Sequence, residues 1–67
     1  MSVARVAEII SSSQKSFEDA IQQGIARATK TLEEVKGSWV SEQTVKVEND
    51  RISEYRVNLK VTFVLKD

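Results

Sequence analysis

The sequence contains no cysteine, no histidine and no proline, and these absences exclude several kinds of protein. Without cysteine the chain forms no disulfide, and without histidine as well it lacks the usual ligands of a structural zinc site. Cysteine and histidine are also the commonest nucleophile and general base of enzymes. We therefore expect a binding or structural protein that is not an enzyme.

A second absence is any excess or block of one charge. Ten basic and ten acidic residues give a net charge of zero, and the two signs are interspersed along the chain. Nucleic-acid-binding proteins concentrate positive charge on one face, so we expect no nucleic-acid partner. No apolar run approaches the ~20 residues that a bilayer requires, and Met1–Arg5 does not resemble a signal peptide. These features predict a cytoplasmic protein without membrane contact.

The chain is short enough that stability itself is informative. Its 67 residues form one domain, 1–67, and a domain of this size buries only about 60% of the surface that its unfolded chain exposes. Natural chains this short rely on disulfides, a structural metal or self-association. Because the first two are excluded, the sequence predicts a homo-oligomer.

The first half of the chain changes from strand to helix periodicity. Val3–Ile10 is rich in β-branched and apolar residues and runs into three serines, which predicts a strand followed by a helix N-terminus. From Ser13 the apolar residues recur at steps of three and four, which predicts a helix of about 22 residues that ends near Gly37. The apolar stripe of this helix consists of Phe17, Ala20, Ile21, Gly24, Ile25, Ala28, Leu32 and Val35.

The second half has the pattern of a β-hairpin. Trp39–Glu48 is predicted to be a strand, and Glu48–Arg51 supplies asparagine and aspartate for a turn. A second strand is predicted from about Ile52 to Lys66, because six apolar residues recur there on one period-two face. Its apolar positions are Tyr55, Val57, Leu59, Val61, Phe63 and Leu65.

These elements predict an α+β fold with the order β-α-β-β. Placing the third strand in the middle makes every strand pair antiparallel, with the order 1-3-2, and its apolar face then packs on the one helix. The third strand is roughly 50 Å long and the predicted helix roughly 33 Å. Because the sheet is longer than its cover, closed symmetric assembly is expected to protect its edges.

Several local features have a structural and a functional interpretation. The serines before the helix favour capping over an anion site, and Gly24 favours a close helix contact. Glu48–Asp50 fits a solvated turn better than a calcium loop, although a weak calcium site between subunits stays open. Trp39 fits interface or core packing, or stacking on an aromatic ligand, and the sequence leaves both open.

Nearly the whole chain resembles the dodecin family in length and in the order of its elements. The most specific matches are Ser16–Ala20 after the serine-rich turn, the Ile25–Ala28 stretch and the alternating Tyr55–Phe63 strand. The resemblance implies a hollow homododecamer of β-α-β-β subunits. In most characterised members it also implies non-catalytic binding of flavins, which stores or quenches them.

Flavin-binding dodecins stack a tryptophan at the start of the second strand on the isoalloxazine ring and bond a third-strand glutamine to it. Alignment on Glu42-Gln43 and on Tyr55–Phe63 places Gly37 at the tryptophan position and Arg56 at the glutamine position. Trp39 lies two residues further along, about 6.6 Å away on the same strand face. Arg56 can donate to a carbonyl or a phosphate, but it cannot accept as glutamine does.

The leading hypothesis is a homododecamer that binds and stores a flavin, riboflavin or FMN. The resemblance implies Trp39, Glu42, Gln43 and Arg56 as its ligand-binding residues. Some dodecin-like proteins without the flavin tryptophan are described as calcium-binding, and this chain resembles that branch in Arg56 and its Val40–Gln43 run. The alternative is therefore a structural or calcium-binding dodecin-like assembly that does not bind flavin.

Overall fold

The computed structural model describes residues 3–65. The chain runs through β1 (Val3–Ser13), α1 (Phe17–Thr31), β2 (Val35–Glu48) and β3 (Arg51–Leu65). The strands form one antiparallel sheet in the order β1-β3-β2. The predicted α+β class, the β-α-β-β order and the central place of the third strand are confirmed.

The hydrophobic core lies between α1 and one face of β3. Val57, Leu59 and Val61 are fully buried, as their alternation predicted. α1 presents small residues to them, which lets the helix approach the sheet closely; the buried ones are Ala20, Gly24 and Ala28. Partly buried hydrophobic residues surround this centre: Ile9, Phe17, Ile21, Ile25, Leu32 and Val35.

α1 begins later than predicted because the serines before it continue β1. Ser11, Ser12 and Ser13 pair with residues 55–57 of β3, so the first strand extends beyond Ile10. The cap is Ser16, whose backbone is extended and whose Oγ accepts a hydrogen bond from the Asp19 N–H at 3.0 Å. The capping interpretation is thus confirmed at Ser16.

α1 also ends earlier than predicted, and the expectation that Gly37 stops it was wrong. Leu32 has an extended backbone, although its N–H still donates to a helix carbonyl at 2.9 Å. Glu34 takes the left-handed φ of 55° that turns the chain, and Gly37 lies inside β2. Leu32 and Val35 pack on the core from outside the helix. Leu32 and Val35 therefore continue the apolar spacing of the helix in the sequence, although neither belongs to it.

The hairpin turn has the predicted chemistry. Asn49 and Asp50 both have positive φ, 52° and 62°, and connect β2 to β3 as a two-residue loop. Two consecutive left-handed residues match the right-handed twist of the flanking strands, and asparagine and aspartate tolerate that conformation well. β3 begins at Arg51 and is described to Leu65, so the predicted Lys66 lies outside the described residues.

The sheet extends well beyond its cover. α1 has 15 residues and packs on β1 and β3. It is therefore only about 22 Å long, against roughly 50 Å for β3. Every residue of β2 after Val35 is exposed. Large hydrophobic side chains consequently lie exposed along the sheet: Val3, Val6, Ile10, Trp39, Val40, Val45, Val47, Ile52 and Leu65.

Within residues 3–65 no helix has the length and apolar run needed to cross a bilayer.

Gly24 is the point of closest approach between α1 and the sheet. A Cβ atom at this position would lie 2.7 Å from Leu59 Cδ1 and 3.0 Å from Ser11 Cβ. Leu59 is fully buried, so its side chain has little room to move away. The prediction that this glycine permits a close helix contact is confirmed.

Replacing Gly24 with alanine is expected to destabilise the protein. The gain in helix propensity is about 1 kcal/mol, whereas forcing an extra methyl group into a packed core costs about 1–3 kcal/mol. We expect a lower Tm at fixed protein concentration, with a net loss of up to about 2 kcal/mol. Gln22→Ala on the exposed side of α1 is the matched control and should leave the Tm nearly unchanged. A Gly24→Ala variant that is more stable than the wild type by the full gain in helix propensity, about 1 kcal/mol, would contradict the close contact.

Asp19 links the end of β1 to the first turn of α1. Its Oδ2 accepts hydrogen bonds from Ser13 Oγ and Gln23 Nε2, both at 2.6 Å. The hydrogen bond from Ser13 is the main cause that lowers the pKa of the Asp19 carboxyl below 3.8; Gln23 and Lys15 add to it, and desolvation opposes it. A carboxyl whose pKa is lower in the folded state stabilises the fold only while it is ionised.

The Asp19→Asn variant should therefore lose stability in a pH-dependent way. The stabilisation is fully present above pH 3.8, the unfolded value, and disappears as the pH falls through the lower folded pKa. We expect the Tm difference between wild type and variant to be largest at neutral pH and to narrow below about pH 4. Repeating the comparison in a Ser13→Ala background should shrink the effect. A Tm gap that stays constant down to pH 3 would show that ionisation of Asp19 is irrelevant.

Candidate functional site

One face of the sheet has no helix over it, and we call it the open face. Because Val57, Leu59 and Val61 are buried against α1, the residues between them project to the other side. Residues directly opposite each other on paired strands share a face. The centre of the open face therefore consists of Glu8, Ile10 and Ser12 of β1, Arg56, Asn58 and Lys60 of β3, and Trp39, Glu42 and Thr44 of β2.

A β-bulge in β2 shapes this face. Trp39 and Glu42 are three residues apart, so a regular strand would send them to opposite faces. The register shifts between Val40 and Glu42, which leaves Ser41 as the extra residue. Ser41 Oγ donates to the main-chain carbonyl of Asn58 at 3.3 Å and holds the bulge against the central strand. As a result both Trp39 and Glu42 lie on the open face.

The structure brings three of the four predicted site residues to this face. In the β2–β3 register, Trp39 lies opposite Lys60, Glu42 opposite Asn58, and Thr44 opposite Arg56. Gln43 pairs with the buried Val57 and therefore faces the helix side. The bulge decides which of the two adjacent residues shares a face with Trp39, because in a regular strand it would be Gln43 and not Glu42. Trp39 and Arg56 are still apart, because their rows are separated by about 13 Å along β3.

Trp39 presents a free aromatic surface. Its side chain is 50% exposed. Gly37 lies on the same face two residues earlier, opposite Thr62, as the sequence predicted. A Cβ atom at Gly37 would meet nothing within 4 Å, so the space beside the indole is empty. An exposed ring with open space beside it can stack on a planar ligand or on a neighbouring subunit.

Arg56 is held in place by a neighbour on its own strand. Its Nη2 lies 3.0 Å from Glu54 Oε2, and both side chains are partly exposed. Exposed ion pairs of this kind contribute at most about 1 kcal/mol, so the guanidinium can be released to a ligand. With Thr44, Val45 and Lys46 the pair lines a shallow hollow of about 280 Å³ near the hairpin.

Sequence reasoning missed Asn58 and Lys60. Asn58 Oδ1 is buried, and it has no hydrogen-bond partner in residues 3–65. Leaving such an acceptor unsatisfied costs about 1–3 kcal/mol. Lys60 lies between Glu8 and Trp39 across the three strands. One sequence signal existed, because asparagine is disfavoured in the interior of strands and Asn58 stands in the most regular one.

A second hollow lies between α1 and the outer edge of β1. It has a volume of about 530 Å³, and its floor is formed by small side chains of the helix. It lies on the helix side of the sheet, and none of the four predicted site residues lines it. Its apolar lining includes Ala7, Ile9, Gly24, Ala28 and Leu32.

Metal ligands are sparse within one subunit. Across the described chain, no three acidic side chains come close enough together to hold an ion. The Glu48–Arg51 turn keeps its structural role, with left-handed Asn49 and Asp50 at its centre. Calcium takes six to eight oxygen ligands, and within the described residues no acidic cluster supplies a set of them.

Comparison with known proteins gives matches over nearly the full chain. The family model described as Dodecin matches residues 3–66. Calcium dodecin from Mycobacterium tuberculosis is 32% identical over 66 residues, which cover 98% of this chain and 93% of that protein.

Solved structures agree with the sequence matches. A variant of the Thermus thermophilus dodecin superposes with a TM-score of 0.95 at 33% identity, and the match covers 100% of both chains. The dodecin from Streptomyces davaonensis gives a TM-score of 0.93 at 30% identity, over 98% of this chain and 97% of that one. The calcium dodecin of M. tuberculosis gives 0.83 at 31% identity, over 96% and 91%. The chain therefore belongs to the dodecin family.

Proposed function

We propose that this chain forms a cytoplasmic homododecamer that binds and sequesters a flavin, riboflavin or FMN, without catalysing a reaction. The ligand would lie on the open face, where Trp39 stacks on its ring system and Glu42 and Arg56 contact its polar groups. Gln43 faces the helix side, so it would reach a ligand only from a neighbouring copy. A calcium-binding assembly is the second candidate.

The observation that carries the proposal is the half-exposed indole of Trp39 beside the empty space at Gly37. A flat aromatic group at the edge of a subunit, near a residue without a side chain, suits a ligand that is itself planar and aromatic. Lys60 opposite Trp39 and Arg56 further along the face supply positive charge that a phosphorylated flavin can use.

The assembly is supported by the surface left exposed by one subunit. Among residues 3–65, nine large hydrophobic side chains are exposed, against five buried hydrophobic residues in the core. Both edge strands also present unpaired backbone groups that a monomer would have to protect from other chains. Closed symmetric association covers such surfaces and creates sites between copies.

The absence of catalysis is proposed from the residues available. The sequence has no histidine and no cysteine. Asp19 has a lowered pKa, but Ser13 and Gln23 engage its carboxylate at the start of the helix. A perturbed carboxyl that supports a helix end has a structural role, because active-site groups are perturbed within a cleft that binds substrate.

Flavin binding predicts that the purified protein quenches the fluorescence of riboflavin or FMN at micromolar concentrations. Trp39→Ala should weaken binding about 5- to 150-fold, the range expected from 1–3 kcal/mol of aromatic stacking. Trp39→Phe keeps a ring at the same place and should lose less. Light scattering of the same samples should give roughly 90 kDa, twelve times the 7.5 kDa chain. Wild-type protein that leaves micromolar flavin unquenched would remove this function.

Calcium is the second candidate because the M. tuberculosis relative at 32% identity is a calcium dodecin, and its crystal structure is described as having a novel calcium-binding site. This alternative predicts that a chelator lowers the Tm and that calcium restores it. Calcium at a hundred times its Kd would stabilise each site by about 2.7 kcal/mol. Magnesium is the matched control, since it demands a stricter octahedral site. Melting that does not respond to the chelator would exclude the ion.

A further inference from the structure

Residues 45–54, which we call the hairpin tip, extend past every other element of the subunit. β1 ends at Ser13, which pairs with Tyr55. α1 begins beside the same tyrosine, because the rings of Phe17 and Tyr55 lie 5.1 Å apart. From there outward, β2 and β3 continue as two strands alone. A two-stranded hairpin is at best marginally stable in water, so the hairpin tip depends on a partner.

A second β-bulge gathers apolar side chains on one face of the hairpin tip. The β2–β3 register shifts after Lys46, which leaves Ser53 as an extra residue of β3. Its Oγ donates to the main-chain carbonyl of Lys46 at 3.2 Å. The bulge places Ile52 opposite Val47, on the face that also carries Val45. These three side chains are 48%, 60% and 42% exposed, and we call them the tip patch.

The hollow between α1 and the outer edge of β1 is the concave counterpart of the tip patch. Its volume is about 530 Å³, and its floor is apolar and includes Ile9, Gly24 and Ala28. We call it the α1–β1 groove. It opens along β1, which is an edge strand of the sheet. Edge strands present unpaired backbone groups, so this surface calls for a cover that brings both apolar side chains and a backbone.

The lining of the groove favours a protein partner over a small ligand. Small-molecule sites have a few convergent polar groups that orient the ligand. Two of the polar side chains here are already engaged, since Gln23 donates to Asp19 at 2.6 Å and the Thr31 hydroxyl donates to a helix carbonyl at 3.4 Å. A small ligand also leaves the strand edge uncovered. A second copy of the chain carries a tip patch for every groove.

The charges beside the two surfaces are complementary. The hairpin tip has three acidic and two basic residues, a net charge of −1. Among the residues that line the groove, the charged one is Arg27. Across the described chain, neither Arg27 nor Asp50 at the turn forms an ion pair. Complementary charge steers association and fixes the orientation of the partners, which favours the hairpin tip as the occupant of the groove.

We propose that the tip patch of one copy packs into the α1–β1 groove of the next copy. The sheet extends the hairpin tip past the start of α1, away from the groove of its own subunit. Because the two surfaces differ, the contact is heterologous, and each copy both inserts a tip and receives one; such contacts close into a ring. This inference rests on the proposed homo-oligomer and names the two surfaces that meet in it.

Cross-linking between introduced cysteines tests the contact, because the chain has no thiol of its own. Val47→Cys marks the tip patch, and Gln23→Cys and Thr31→Cys mark two ends of the groove about 12 Å apart. After treatment with a short bismaleimide, a denaturing gel of either double variant should show a ladder of multiples of the 7.5 kDa chain. Each single variant should stay at the size of one chain. Val47→Cys with Thr29→Cys, on the exposed side of α1, is the matched control.

A second measurement follows assembly by light scattering over a dilution series. Val47→Lys replaces a buried apolar contact with a charge, so the concentration at which half of the subunits are assembled should rise at least tenfold. Thr29→Lys adds the same charge outside both surfaces and should change that concentration by less than about twofold. An unchanged concentration for Val47→Lys overturns the contact.

The outcomes separate this inference from the proposed assembly. A ladder from either groove variant with Val47→Cys, and none from the control or the single variants, supports the contact. Assembled protein without a ladder, an equal ladder from the control, or dimers from Val47→Cys alone overturn it and leave the homo-oligomer intact. A monomeric wild type overturns both. Circular dichroism confirms folding, and Ile52→Cys replaces Val47→Cys if that variant does not fold.

Discussion

A single 15-residue helix covers a sheet more than twice its length, and this mismatch governs the rest of the molecule. Gly24 lets α1 settle directly on Leu59, so the part of the sheet that is covered is tightly packed. Everything beyond the reach of the helix, including nearly all of β2, stays exposed in one subunit. The fold thus divides the sheet into a region that the helix covers and a region that one subunit leaves uncovered.

The set of side chains on the open face depends on the β-bulge at Ser41. Because Ser41 is an extra residue, the aromatic ring of Trp39 and the carboxylate of Glu42 lie on the same face. Strict alternation would have placed them on opposite faces. The same bulge brings Glu42 opposite the unpaired amide of Asn58. An aromatic ring, an amide and charges of both signs thereby lie together on one surface of the sheet.

Most of the fold could be predicted from the sequence, because alternation in β3 and the helical stripe on α1 report directly on burial. The helix ends could not, since Leu32 and Val35 continue the apolar spacing while packing from a loop and a strand. The bulge carries no marker such as glycine, so the placement of Gln43 could not be foreseen. The unpaired state of Asn58 depends on what surrounds one side chain, which periodicity does not reveal.

The bulge also has a consequence for how such a protein can diversify. Loss of the extra residue, which a single serine hydroxyl ties to the central strand, would restore regular alternation in β2 and leave α1 untouched. A shift of one residue turns over the side chains on one stretch of β2 as a group. The side chains presented on the open face can then be exchanged by an insertion or deletion of one codon, while the core under the helix keeps its packing.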